Sequence, residues 1–115
     1  MRYLKIILLV ATQLLPVISQ AESEGEQLYK AYCVQCHGIN GDGKGLNAAF
    51  MSVMPRDHRD KSEMSARTDE ELSKVIKSGG ASINKSILMP AWGGNLSDEQ
   101  IEELVAYLRV VCCDE

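Results

Sequence analysis

The sequence predicts an all-α domain, and three observations carry that prediction. Three helix starts show a capping residue followed by Glu or Gln three positions later. Each start leads into apolar residues spaced three and four apart. No segment alternates long enough to argue for a sheet. Ser23 with Glu26 opens the first pattern, which runs through Leu28, Tyr29, Tyr32, Cys33 and Cys36. Thr68 with Glu71 opens the second, followed by Leu72, Val75 and Ile76, and Gly79-Gly80 stops it in the manner usual for a helix end. Ser97 with Gln100 opens the third. Asp98 and Glu99 suit its positive end, and Ile101, Leu104, Val105, Leu108 and Val111 mark one buried face.

Two loops between these helices are rich in punctuation. Gly38 to Gly45 holds four glycines in eight residues, with Asn40 and Asp42 among them. Gly79 to Gly94 holds Met89, Pro90 and Trp92. Without a Cβ, such loops can bring backbone close to a flat ligand.

The 115 residues suit one domain. Residues 1–21 read as a secretory signal peptide: Arg2 and Lys5 form a positive start, Ile6 to Ile18 is mostly apolar, and Ser19-Gln20-Ala21 has the small-x-Ala form of a cleavage site. The alternative, an uncleaved membrane anchor, is opposed by the short apolar run and by Gln13 and Pro16 within it. No stable membrane insertion is expected after cleavage. Residues 22–115 then form the folded domain, with 10 basic against 16 acidic residues once Arg2 and Lys5 are gone, a net charge of −6. That balance opposes nucleic-acid binding and favours either a partner with a basic docking face or simple solubility. Phe and Trp occur once each, so the side-chain core is thin, and a domain this small leans on a disulfide, metal or cofactor.

Cys33-Val34-Gln35-Cys36-His37 supplies a candidate. Two thiols three apart on a helix share a face, which suits two thioether bonds to the vinyl groups of one porphyrin. His37 can then turn its imidazole to the iron from beneath the same ring, and C-x-x-C-H is the pattern of c-type haem attachment. A thioredoxin-like redox pair would want a preceding strand, and none is predicted. A zinc site would need a second ligand pair, which the adjacent Cys112 and Cys113 cannot form as C-x-x-C. A structural disulfide remains an alternative.

Across residues 22–115 the chain resembles class I cytochromes c. The resemblance rests on Gly25 and Tyr29 ahead of Cys33-x-x-Cys36-His37, on Gly41-Asp42-Gly43-Lys44-Gly45, on Met89-Pro90-Ala91-Trp92, and on Leu104-Val105-Ala106-Tyr107-Leu108. It implies three to five helices wrapped around one covalently bound haem c with its iron. It also implies that the N- and C-terminal helices cross with Gly25 at the contact against Leu104 and Tyr107.

For the second axial position the domain offers Met51, Met54, Met64, Met89 and His58. Met89 is preferred: it lies in a loop just before the last helix, and Pro90 restricts its backbone. The resemblance places the ligand at the same Met-Pro pair. Met51 and Met54 are expected to pack or lie exposed, and His58 to be a solvated loop histidine. A soft thioether raises the potential and a filled sixth position blocks oxygen, which together suit electron transfer. In related cytochromes a proline carbonyl downstream accepts the ligating imidazole's other N–H, and Pro55 is the candidate. Arg56 is a candidate partner for a haem propionate, against a solvated surface charge. Trp92 is expected near the ring edge.

Cys112-Cys113 departs from the family pattern. A vicinal disulfide, a disulfide to a partner or a second copy, and a frayed tail with incidental thiols are all open. The function expected is a soluble single-haem electron carrier exported to a bacterial periplasm, serving a donor and an acceptor redox protein rather than acting as an enzyme. The alternatives are a haem subunit of a larger oxidoreductase complex and, behind it, a haem enzyme or gas sensor with a labile sixth ligand.

Overall fold

The computed structural model describes residues 19–114. The positive start and apolar segment of the expected signal lie outside them. Among the described residues all regular structure is helical, in the order α1 (Glu24–Tyr32), α2 (Val34–His37), α3 (Lys61–Ser65), α4 (Asp69–Ser78) and α5 (Asp98–Cys113), with three short 3-10 turns. None of these helices is long and apolar enough to cross a membrane.

The capping signals map onto real helix starts. Thr68 and Ser97 each form complete capping boxes with Glu71 and Gln100. Ser23 forms half of one: its hydroxyl accepts from the Glu26 backbone N–H at 3.1 Å, while the Glu26 carboxylate turns to Lys30 at 2.9 Å. The first apolar pattern is not one helix through Cys36. Cys33 takes φ −113° and ends α1, and its carbonyl then accepts from the N–H groups of Cys36 and His37 to start α2. The three- and four-residue spacing survives this break, because both sides remain helical, and so the spacing could not reveal it.

Packing puts α1 across α5, the crossing that the resemblance implied. At Gly25 a Cβ would run into the Glu103 carbonyl and the Tyr107 Cβ, so only Gly lets the two backbones approach. The near neighbour is the Glu103 backbone rather than Leu104, because Leu104 points inward and is 1% exposed. Around it pack Tyr29, Met64, Leu72, Ile76, Leu96, Ile101, Val105 and Leu108. Met64 is fully buried on α3, a helix too short to be read from periodicity, which Asp60 caps by accepting from the Glu63 N–H.

Arg109 ties this half together. From α5 its guanidinium donates to the Met64 and Arg67 carbonyls at 2.8 and 2.6 Å and pairs with Asp69 at 2.8 Å. It thereby adds donors just where α3 ends: to the Met64 carbonyl, which also takes the Arg67 N–H at 3.2 Å, and to the Arg67 carbonyl two residues past the helix.

Candidate functional site

The glycine loop after α2 closes the end of the Cys33–His37 segment. Gly43 and Gly45 donate their N–H groups to the carbonyls of His37 and Cys36 at 2.8 and 3.0 Å. Gly43 has φ +73°, and a Cβ there would strike the Pro55 carbonyl. The expectation that this loop approaches a flat ligand is therefore corrected: Gly43 and Gly45 bring backbone against backbone, Gly38 and Gly41 face side chains, and none of the four lines the cavity described next. Through this contact the segment 55–58 is pressed onto α2.

A cavity of about 750 Å³ opens between α1–α2, the 51–58 segment, α4 and the loop before α5. Its walls include Cys33, Cys36, His37, Pro55, Arg56, Met89 and Trp92, so the structure gathers the residues singled out from the sequence around one space. The volume lies within the roughly 300–1,000 Å³ of small-molecule and cofactor sites. Cys33 and Cys36 are not bonded to each other. Burial, and then the neighbouring Cys36, push the Cys33 thiol up to about 12. No cluster of three or more His, Cys, Asp or Glu gathers as a metal-ion site among the described residues.

The His37 ring is held by a backbone carbonyl. Its Nδ1 lies 3.1 Å from a backbone carbonyl, that of Arg56. A carbonyl can only accept, so Nδ1 carries the proton and Nε2 keeps its lone pair free for a metal. Burial lowers the His37 pKa and so keeps the ring neutral. The accepting residue is Arg56 and not Pro55, because the Pro55 carbonyl is turned toward Gly43. The Arg56 guanidinium pairs with Glu63 at 2.6 Å while lining the cavity. Trp92 packs its ring on Tyr32 at 5.1 Å between centroids.

Three methionines line the cavity: Met51, Met54 and Met89. Met51 and Met54 precede the stretch that holds His37 from behind. Met89 comes from the loop before α5, and its carbonyl accepts from the Gly80 N–H at 3.1 Å. Met64 is sealed in the core.

His58 is the residue whose setting the sequence misjudged. It is 8% exposed, not solvated, and its ring stacks on His37 with centroids 4.2 Å apart and planes 18° apart. Burial, and then His37, push its pKa down to about 3, and its Nδ1 is buried without a hydrogen-bond partner. It also lines the cavity. No sequence pattern marked it, since the loop carrying it is irregular. Cys112 and Cys113 are bonded to each other at the end of α5, pack partly against the core and lie outside the cavity.

The donor set fits a haem: two adjacent thiols, an imidazole with Nε2 free, and a thioether on the loop before α5, all facing one space of suitable size. Comparison with known proteins agrees. A family model described as cytochrome C oxidase, cbb3-type, subunit III matches residues 20–108. Cytochrome c6 of Gracilaria tenuistipitata var. liui is 33% identical over 84 residues, covering 73% of this chain and 67% of that protein. Among solved structures, the KustC0563 c-type cytochrome superposes with a TM-score of 0.63 at 24% identity, over 76% of this chain and 96% of its own, a likeness of fold. A chain of the Kuenenia stuttgartiensis reducing HAO-like protein complex Kustc0457/Kustc0458 matches with a TM-score of 0.63 at 28% identity, over 81% of this chain. The match spans 43% of that longer chain. The cofactor is covalently bound haem c with its iron. The chain belongs to the c-type cytochromes, in the family described as cytochrome c oxidase, cbb3-type, subunit III.

Proposed function

We propose that this protein is a single-haem, one-electron carrier in which Cys33 and Cys36 would hold the haem as thioethers and His37 and Met89 would be the protein ligands of its iron. The observation that carries this reading is the shared cavity, into which α2 brings His37 and the loop before α5 brings Met89. When bound, haem c supplies an iron that cycles between ferrous and ferric. The chain's own residues do the rest. The Arg56 carbonyl fixes the tautomer and aim of His37. Met89 supplies a soft sulfur that favours the ferrous state. The side chains of Tyr29, Leu104 and Leu108 at the cavity wall keep water out. Ligands that stay bound in both states keep the reorganisation small, and a filled sixth position denies access to oxygen. In this reading residues 1–21 direct export, and the electron partners are proteins of the periplasm.

The weak long-wavelength band of an iron–thioether bond tests the ligand. It is expected in the wild type, retained in Met51→Ala and Met54→Ala, and lost in Met89→Ala; survival in Met89→Ala removes Met89 from the role. Rapid carbon monoxide binding at neutral pH would instead mark an open sixth position and a haem enzyme or sensor.

A second reading makes the chain a haem module of a larger assembly. Two observations favour it: the oxidase-subunit description of the matching family, and the longer chain of a protein complex that contains a similar fold. Co-purification with a second chain from native membranes supports the module, and a monomer alone supports the free carrier.

A further inference from the structure

We infer that His58 is a positioning residue for the axial imidazole, locking the rotation of the His37 ring by lying flat against its face. The inference rests on the reading of His37 as an iron ligand. An imidazole bound through Nε2 keeps one soft motion, rocking of its plane about the ligand bond. The hydrogen bond from Nδ1 to the Arg56 carbonyl holds one edge atom, and a single bond of that kind lets the plane tilt about it. A parallel ring at 4.2 Å removes the tilt, because the plane cannot rotate without driving its edge into the neighbour.

His58 can act this way only if it is itself held, and it is. Its backbone N–H donates to the Gly41 carbonyl at 2.7 Å. Tyr29 meets it edge-on with centroids 6.0 Å apart and planes at 67°. Tyr29 is in turn fixed by its hydroxyl, which donates to the Gly38 carbonyl at 2.8 Å. Gly41 leaves the room: a Cβ there would lie 3.4 Å from the His58 Cβ and 3.0 Å from Val111. Arg56 and His58 lie two residues apart, so one short segment supplies both the edge restraint and the face restraint. With Nδ1 of His58 unpartnered, the flat face of the ring is what this side chain contributes.

The plane of an axial imidazole sets how its π orbitals meet those of the iron, and so shapes the paramagnetic spectrum of the ferric state. In the haem-loaded ferric protein, the spread of the haem-methyl proton shifts reads that plane. His58→Phe keeps a flat ring, and the wild-type spread is expected. His58→Leu and His58→Ala remove it, and an altered or averaged spread is expected while the far-UV helical signal is retained. In the wild type itself, which raises no question of folding, the His58 ring protons are expected to shift between the ferrous and ferric states. An unchanged methyl pattern in Leu and Ala, an equally altered one in Phe, or oxidation-independent His58 protons would each overturn the positioning role. If the wild-type ferric protein lacks a low-spin, imidazole-ligated spectrum, the ligand reading fails first, and the two failures stay distinct.

Discussion

Gly25 shows how much one position can hold. Any side chain there meets the Glu103 carbonyl and the Tyr107 Cβ, and backbone cannot yield as a flexible side chain would. Gly25→Ala is expected to cost about 3 kcal/mol, the upper end for overpacking, as read from denaturant unfolding. Tyr29 carries a second prediction. Burial raises its phenol pKa, and its hydroxyl donates to the Gly38 carbonyl. Below pH 10 the phenol is protonated in both the folded and the unfolded chain. Above pH 10 the unfolded chain releases the proton first, so folding stability falls as pH rises. Tyr29→Phe removes one of the two bonds to the Gly38 carbonyl, which keeps the Gly41 N–H at 3.1 Å; it is expected to lose about 1 kcal/mol at neutral pH, yet to show a shallower fall in melting temperature between pH 9 and 11. An equal fall in both proteins would remove Tyr29 from the alkaline response.

At the scale of elements, the short α3 holds its place through Arg109 rather than through its own length. Five residues cannot sustain a helix alone. Arg109 binds the Met64 and Arg67 carbonyls and Asp69 together, joining α3, α4 and α5. Arg109→Ala is expected to cost about 2–3 kcal/mol, because charge-assisted bonds to carbonyls are broken. Arg109→Lys should recover little, since an ammonium holds its donors on one nitrogen and cannot span the acceptors that the guanidinium reaches from Nε, Nη1 and Nη2. Amide exchange would locate the loss in residues 61–69. Loss of the caps at Thr68 or Ser97 is a smaller matter: each Ala substitution should cost about 1 kcal/mol in thermal unfolding.

For the whole molecule, the cavity decides the relation between cofactor and fold. Side chains of α1, α4 and α5 line this cavity of about 750 Å³, so a bound haem would supply packing that the polypeptide does not make for itself. The chain without its haem is therefore expected to lose fixed tertiary packing. A protein with both Cys33→Ser and Cys36→Ser, stripped of haem, should show a weakened near-UV signal and fast amide exchange across α1 and α5. Retention of wild-type exchange protection would show that the polypeptide core suffices.

The sequence by itself determined the helical class, the caps at Thr68 and Ser97 and the C-x-x-C-H spacing of Cys33, Cys36 and His37, while the glycine at the α1–α5 crossing was implied by the resemblance to class I cytochromes c. Each of these depends on residues a few positions apart, or on a backbone requirement that only one residue type meets. What tertiary structure decided lies in the irregular segments. The break at Cys33, the burial of Met64, the choice of the Arg56 carbonyl over that of Pro55, and the stacking of His58 on His37 all depend on chain paths set by distant contacts. No periodicity encodes those paths. His58 reads as a solvated loop histidine, and no sequence signal singles out Arg109, until folding brings His37 to one and the end of α3 to the other.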